Sequence, residues 1–185
     1  NGQFVTTIPE NDGLSALNIG GGVINIYGDK ATFDENGNYI SGTYVKGDGD
    51  SCINLSSGIA NVYGGTFEKT GPITPAIRTN SNTPVTINIY NGEIIAVNHG
   101  VGLDQNASKD SQIHIYDGKI SADQNYAVYN NSVGTINIYG GDITSNNYYT
   151  VITTDWAGWK TSSVPRSDLK TNGTMSGNQA DSLRL

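Results

Sequence analysis

The segment TINIYGGDITS, residues 135–145, decides the fold, because the chain contains five variants of it. The other four are VINIYGDKATF from Val23, IANVYGGTFEK from Ile59, TINIYNGEIIA from Thr86 and QIHIYDGKISA from Gln112. A single binding or catalytic site needs one motif. Five copies instead indicate that the motif builds the architecture of the protein.

The copies align on five tyrosines whose spacings are 36, 27, 26 and 23 residues: Tyr27, Tyr63, Tyr90, Tyr116 and Tyr139. Repeats in this range predict a solenoid, in which each unit buries its apolar face against its neighbours. Within each copy apolar and polar residues alternate, which is the period of a β-strand with one buried face. The small or turn-forming residues after each tyrosine predict a corner.

Each repeat supplies three apolar segments. The first predicts an interior row of Ile26, Val62, Ile89, Ile115 and Ile138, and the second predicts a row of Phe33, Phe67, Ile94, Ile120 and Ile143. The third segments begin at positions 52, 76, 101, 127 and 150. Three strands per repeat predict an all-β protein, a single-stranded right-handed parallel β-helix (β-solenoid) of about five to six coils of three strands.

The pattern also predicts where the solenoid begins and ends. We assign residues 14–155 to the β-helix, with a loop inserted at 34–50 to account for the longest spacing. Residues 1–13 are predicted to be an N-terminal cap or an exchanged strand, and residues 156–185 a C-terminal capping or subunit-contact segment. The side chains expected to cover the coil ends or contact another subunit are Phe4, Trp156 and Trp159.

Composition excludes several classes of protein. The formal net charge is −7 with only 10 Lys plus Arg, which disfavours binding to nucleic acid or anionic membranes. There is no apolar run of membrane-spanning length. The one cysteine, Cys52, is predicted to be a small apolar residue on a strand. The chain starts NGQF without methionine, which we interpret as a removed leader or a fragment. We expect a secreted or cell-surface bacterial protein.

The repeats resemble those of right-handed parallel β-helix proteins of the pectate-lyase-like type. They are more similar still to the Gly-Asn-Tyr-rich repeats of bacterial surface adhesins and of clostridial carbohydrate-binding β-helices. The resemblance covers roughly residues 14–155. It implies the fold, but this fold carries lyases, tailspikes, adhesins and fibre subunits, so it does not select one function.

Two outward rows are the candidate contact site for a ligand or a subunit. One is the tyrosine row, and beside it stand Asn25, Asn61, Asn88, His114 and Asn137. Aromatic faces and amides together could form a platform for glycans. Alternatively, the identical side chains could stack and stabilise neighbouring coils. A lateral contact between subunits is the third reading.

The sequence gives little sign of catalysis or of a cofactor. In the inserted loop, Asp48 and Asp50 place oxygen ligands at alternate positions, as calcium loops do, but the bidentate glutamate of such loops is absent. A lyase would need an arginine beside a carboxylate cluster, and Arg78 has only Asp104 as a candidate partner. We therefore predict no catalytic residues and no cofactor, with calcium left open.

These observations favour a non-enzymatic extracellular structural protein. The leading hypothesis is a β-solenoid subunit of a bacterial surface filament or adhesin, whose partners are copies of itself joined through the coil ends. The first alternative is a carbohydrate-binding module that uses the tyrosine row to hold a polysaccharide, and the second is a polysaccharide lyase. No nucleic-acid partner and no membrane insertion are expected.

Overall fold

The computed structural model describes residues 2–6, 14–148, 150–153, 174–177 and 183–184. All regular secondary structure in these ranges is β-strand, and no helix in them is long and apolar enough to cross a membrane. In chain order the strands are β1 (Gly2–Thr6), β2 (Leu17–Ile19), β3 (Val23–Ile26), β4 (Thr32–Phe33), β5 (Tyr39–Ser41), β6 (Thr43–Gly47), β7 (Ile53–Leu55), β8 (Gly58–Val62), β9 (Thr66–Lys69), β10 (Pro75–Thr79), β11 (Val85–Ile89), β12 (Glu93–Ala96), β13 (His99–Leu103), β14 (Gln112–Ile115), β15 (Lys119–Ala122), β16 (Val128–Asn130), β17 (Thr135–Ile138), β18 (Asp142–Ser145), β19 (Val151–Thr153), β20 (Thr174–Gly177) and β21 (Leu183–Arg184).

Three parallel sheets run along the molecule, and the chain visits them in turn. Sheet A has the order β1-β6-β9-β12-β15-β18-β20, and sheet B has the order β2-β7-β10-β13-β16-β19-β21. Sheet C contains the tyrosine repeats and has the order β17-β14-β11-β8-β3. Each strand therefore pairs with the equivalent strand of the preceding and following coil, which is the topology of a parallel β-solenoid.

The first predicted interior row is confirmed. Its five members are consecutive register partners across sheet C: Ile26, Val62, Ile89, Ile115 and Ile138. Ile26 is 8% exposed and the other four are completely buried. Sheet A adds Phe67, Ile94, Ile120 and Ile143 to the interior, and sheet B adds Ile53, Ile77, Val101, Val128 and Val151. One continuous apolar core thus fills the solenoid.

The number of coils is slightly smaller than predicted. The five strands of sheet C mark about four turns, compared with the five to six coils expected. Sheets A and B each have seven strands, because β1, β2, β20 and β21 extend them beyond the first and last strands of sheet C. The coils at the two ends of the described stack are therefore incomplete.

The predicted position of Phe33 is wrong. Phe33 is 39% exposed and lies on β4, which pairs antiparallel with β5 outside the three sheets. Its place in the interior row is taken by Val45, the register partner of Phe67. Sequence spacing explains the error, because Phe33 follows its tyrosine by six positions, whereas the other members of the row follow theirs by four.

The hairpin of β4 and β5 is part of an insertion outside the coil, which we call the excursion. Its bounds differ from those of the predicted loop at 34–50. It leaves the coil at Asp29 and returns at Thr43, whose N–H donates to the carbonyl oxygen of Asp29 at 3.0 Å. Residues 43–47 form β6 and belong to sheet A. The ring of Phe33 in the hairpin packs edge to face with the ring of Tyr44 on β6, with centroids 5.1 Å apart. This contact holds the excursion against sheet A.

The two terminal segments contribute strands where they are described. In residues 1–13, β1 pairs in parallel with β6, and its Phe4 backbone lies opposite Val45. In residues 156–185, β20 pairs with β18 and β21 pairs with β19, also in parallel. Both segments therefore continue the sheets at the two ends of the stack. The side chain of Phe4 and both Trp156 and Trp159 lie outside the described residues.

Glycines occupy the corner that follows each tyrosine because successive coils approach closely there. A Cβ atom at Gly64 would lie 2.2 Å from the carbonyl oxygen of Gly28, and one at Gly140 would lie 2.4 Å from that of Tyr116. Gly92 and Gly118 also have φ values of 126° and 105°, which side chains rarely adopt. At these glycines, therefore, the close approach or the backbone conformation disfavours a side chain.

Substitution at a corner should destabilise the solenoid. We expect Gly140→Ala to lower the free energy of unfolding by about 1–3 kcal/mol, because the new methyl group must push two backbones apart. Gly20→Ala is the matched control, since a Cβ there meets nothing within 4 Å. Urea unfolding followed by circular dichroism measures both. Equal stability of the two variants would contradict the close approach at the corner.

Candidate functional site

The five repeat tyrosines form a continuous stack on the outside of sheet C, which we call the tyrosine ladder. Backbone hydrogen bonds fix their register. From Tyr63 onward, the N–H of each tyrosine donates to a backbone carbonyl oxygen of the preceding coil, that of the residue just before the tyrosine there, at 2.7–2.8 Å. Successive ring centroids are 4.7, 4.7, 4.8 and 4.9 Å apart. The first three pairs are parallel to within 4° and the last to within 14°.

This geometry determines which parts of the rings meet solvent. Each inner ring has a neighbour on both faces, so the ladder presents ring edges and hydroxyl groups. Tyr63, Tyr90 and Tyr116 are 36–40% exposed, whereas Tyr27, at the start of the ladder, is 63% exposed. A sugar that stacks on an aromatic face would find the faces of the three inner rings covered on both sides by neighbouring tyrosines.

The second row, beside the ladder, is an amide row for part of its length. The Nδ2 of Asn61 donates to the Oδ1 of Asn25, and the Nδ2 of Asn88 donates to the Oδ1 of Asn61, both at 2.8 Å. His114 then occupies the row, with its Nε2 2.9 Å from the Oε1 of Gln112. Its Nδ1 is 3.3 Å from the hydroxyl of Tyr139, which ties this row to the ladder.

The histidine also changes the electrostatics of the row. Partial burial lowers the pKa of His114 below its ordinary value, so the ring is kept neutral at physiological pH. Asn137 follows in register, with its Nδ2 3.5 Å from the Nδ1 of His114. The predicted amide row is therefore brought together by the fold, but the sequence pattern did not show that the histidine bonds to Tyr139.

An open groove of about 580 Å³ runs beside the ladder over the glycine corners. Its floor is glycine backbone, and its rim carries Tyr63, Asn91, Asp117 and Lys119. Glu93 projects into it with a side chain only 10% exposed and pairs with Lys30 at 2.8 Å and with Lys119 at 3.5 Å. The polar groups of the groove are thus carboxylates and ammonium groups of both signs, together with the amide of Asn91 and the hydroxyl of Tyr63.

A charge network on sheet B connects three successive coils. The guanidinium of Arg78 donates to the carboxylate of Asp104 at 2.7 Å and to that of Asp50 at 2.8–2.9 Å. Asp50 is 5% exposed and also accepts a hydrogen bond from Ser15. Burial raises the pKa of the Asp104 carboxyl, although Arg78 acts in the opposite direction. A small polar pocket of about 250 Å³ opens beside Arg78 and Asp104.

The predicted calcium ligands have other partners. Asp48 accepts a hydrogen bond from the hydroxyl of Thr70 and lies 3.8 Å from the Nζ of Lys46. Asp50 belongs to the Arg78 network. In the part of the chain that the structure describes, no group of three or more His, Cys, Asp or Glu side chains is arranged to hold a metal ion.

A second aromatic group, at neighbouring strands of sheet B, is not indicated by the sequence. The ring of His99 lies parallel to those of Tyr129 and Tyr126, with centroids 4.5 and 5.3 Å away. Burial lowers the pKa of His99 to about 4. His99 begins β13, whereas Tyr126 and Tyr129 lie next to and on β16, so two neighbouring coils form the group and no repeated motif indicates it.

Comparison of the chain with protein-family models, with curated proteins and with solved structures found no significant match in any of the three. The fold itself defines the class of the protein, which is a parallel β-solenoid. Any more specific assignment has to come from the surfaces described above.

The Arg78 network should contribute to stability far more than an exposed ion pair does. We expect Arg78→Ala to cost about 3–5 kcal/mol, because it leaves the buried carboxylate of Asp50 without its cation. Lys109→Ala is the control, since Lys109 pairs with Asp110 at a site where both side chains are more than half exposed. Its effect should stay within about 0.5 kcal/mol. Chemical unfolding compares the two, and similar losses would contradict the buried network.

The tyrosine ladder should make the fold sensitive to alkali. Burial in the stack, and then repulsion from neighbouring tyrosines, raise the pKa of Tyr63 and of Tyr116 above the ordinary 10.0. The folded state then holds these protons more tightly than the unfolded chain, so stability is complete below about pH 10 and falls as pH rises further. Unfolding measured at about pH 9 and about pH 11 should show this loss.

A double variant, Tyr63→Phe with Tyr116→Phe, tests the origin of the alkaline loss. It removes two titrating hydroxyls while it keeps the rings in the ladder. The loss should shrink but not vanish, because burial also raises the pKa of Tyr129, to about 12, and the pKa of Tyr44. An alkaline loss that is unchanged in the double variant would show that the ladder does not cause it.

Proposed function

We propose that this chain is a non-enzymatic structural protein, a β-solenoid subunit of an extracellular filament or adhesin on a bacterial surface. Support comes from the continuous rows on sheet C. Stacked aromatic pairs stabilise by about 0.5–1.5 kcal/mol each beyond the area they bury, and the ladder has four such contacts in line. A solenoid stiffened along its axis in this way suits a load-bearing or spacer role.

The observation that carries the filament version is the N-terminal end of the stack. An apolar pocket of about 400 Å³ opens there between Leu17, Ile24, Ile26 and Val45. Ile24 is only partly buried, although its register partner Ala60 is completely buried. Strand edges and apolar surface at the end of a sheet favour pairing with another chain. A second copy that covers this end would extend the solenoid into an open fibre.

The carbohydrate-binding alternative is supported by the groove beside the tyrosine ladder and not by the faces of the tyrosine rings. The groove over the glycine corners runs past four coils and combines the edge of Tyr63 with Asn91, Asp117 and Lys119. A polysaccharide lying along the axis could donate and accept hydrogen bonds there. This second candidate is compatible with an adhesin, whose function is to hold a surface glycan.

The lyase alternative receives less support. A catalytic base has to release its proton, and the guanidinium of Arg78 is held by carboxylates on two sides. Burial alone would lower the pKa of Arg78, but the two carboxylates together outweigh it and raise the pKa, which opposes deprotonation. We therefore do not propose the Arg78 network as a lyase site.

Assembly through the coil end is tested with a matched pair of substitutions on β3. Ile24→Lys places a charge in the open apolar end, whereas Val23→Lys places one at a position that is already 61% exposed. We expect wild-type protein and Val23→Lys to form elongated particles in electron micrographs and Ile24→Lys to remain monomeric. Circular dichroism checks that both variants keep their β structure.

The same experiment separates the two candidates. Wild-type protein that stays monomeric at high concentration contradicts the filament. If those monomers also bind a soluble polysaccharide, and Asp117→Ala weakens that binding, the carbohydrate-binding candidate is supported instead. Elongated particles formed equally by Ile24→Lys would show that assembly does not use the N-terminal apolar end.

A further inference from the structure

The tyrosine ladder has a chemical property that neither stiffness nor glycan binding requires. It holds five phenol rings in contact, each 4.7–4.9 Å from the next, in a register fixed by backbone hydrogen bonds. We propose that the ladder is a site of oxidative cross-linking, at which a one-electron oxidant joins tyrosines of successive coils as dityrosine. The inference does not depend on whether the protein is a filament subunit or a carbohydrate-binding module.

The first requirement for this chemistry is access. Oxidation of a phenol removes an electron and releases the hydroxyl proton, so the ring edge must meet solvent. The first four members of the ladder meet it, since Tyr27 is 63% exposed and the next three are 36–40% exposed. Because the rings touch, an electron vacancy created on one of them can pass to its neighbours before it reacts.

The second requirement is that two phenoxyl radicals meet. Each of two neighbouring tyrosines loses one electron to the oxidant and one proton to water. A carbon–carbon bond then forms between the ring positions next to the hydroxyl-bearing carbons. The hydrogen on each of these carbons then moves to the adjacent ketone oxygen, which restores the aromatic ring and the hydroxyl group. The sum is the loss of two hydrogen atoms, which a peroxidase balances by reducing one hydrogen peroxide to two waters.

The ladder meets both requirements better than the other described tyrosines do. The rings of Tyr39 and Tyr44 are 6.2 Å apart and inclined at 19°, and Tyr44 is 5% exposed with its hydroxyl donating to Glu68. The rings of Tyr126 and Tyr129 are 5.9 Å apart, with both close to His99. Tyr126 and Tyr148 are 4.9 Å apart but meet edge to face at 74°, as one isolated pair and not a stack. Among the tyrosines that the structure describes, the ladder alone offers closely stacked parallel pairs whose edges face water.

Within the ladder, the geometry favours one pair. To form the bond, two parallel rings must tilt so that their edges approach, and an inner ring is held on both faces. Tyr27 is the first ring and the most exposed, and it has a ladder neighbour on one face only, so it can tilt its edge toward that of Tyr63 with the least loss of contact. The main product is therefore the Tyr27–Tyr63 cross-link, which joins two coils separated by 36 residues of chain.

Such a bond would act as a covalent staple at the end of the solenoid. Closing a loop of this length stabilises mainly by reducing the entropy of the unfolded chain, as a disulfide does. The chain has one cysteine, which is completely buried, so an intramolecular disulfide cannot serve this purpose. Oxidation of the ladder would give the protein a cross-link of a different chemical kind.

The test treats dilute full-length protein with peroxidase and hydrogen peroxide, and the product is digested and analysed by mass spectrometry. We expect the monomer to lose two hydrogen atoms, to acquire dityrosine fluorescence, and to yield a peptide pair joined between Tyr27 and Tyr63. Tyr27→Phe keeps the ring but removes the phenol, and it should lower the intramolecular fluorescence by more than half. Tyr39→Phe is the control and should leave it unchanged.

Several results would overturn the proposal. Cross-links that form only between molecules, or that map to Tyr39, Tyr126 or Tyr148 in the wild-type protein, would show that the ladder is not the reactive site. Absence of dityrosine under conditions that cross-link free tyrosine would do so as well. The wild-type map is decisive by itself, so the test does not depend on the folding of any variant.

Discussion

The coil-to-coil register of sheet C is the constraint on which the rest of the structure depends. Parallel hydrogen bonding places Ile26, Val62, Ile89, Ile115 and Ile138 in one interior row and, one position further, puts five tyrosines in one exterior row. A shift by one residue would exchange the two faces, exposing the isoleucines and burying the phenols. Core packing and surface pattern are therefore set by the same hydrogen bonds.

The close spacing of the rows limits what the surface can do. Side chains repeated at about 4.8 Å must be able to stand next to copies of themselves. Phenol rings and amides satisfy this condition by stacking and by hydrogen bonding, and both rows do so here. The same contacts cover the ring faces, so recognition of a partner has to use edges, hydroxyls, the adjacent groove or the ends of the stack.

The sequence predicts the features that repeat and misses those that do not. Period-two alternation and the tyrosine spacing were sufficient for the fold class and for the isoleucine row. The assignment of Phe33 to the interior row is wrong because Phe33 lies in an insertion that interrupts the repeat. Val45, after the insertion, takes the position in the row, and its pairing with Phe67 is visible only in the structure. The link between Asp50 and Arg78 spans 28 positions and depends on how two coils align, so neither residue's neighbours in sequence indicate it.

The amide row has a direction as well as a composition. Asn88 donates to Asn61 and Asn61 donates to Asn25, so the side-chain dipoles point the same way and add, as peptide dipoles do along an α-helix. Aligned donors also polarise one another, which strengthens each bond. The part of the amide row from Asn25 to Asn88 therefore has an electric dipole, although identical residues build it. Its positive end is the amide hydrogens of Asn25, and its negative end is the carbonyl oxygen of Asn88.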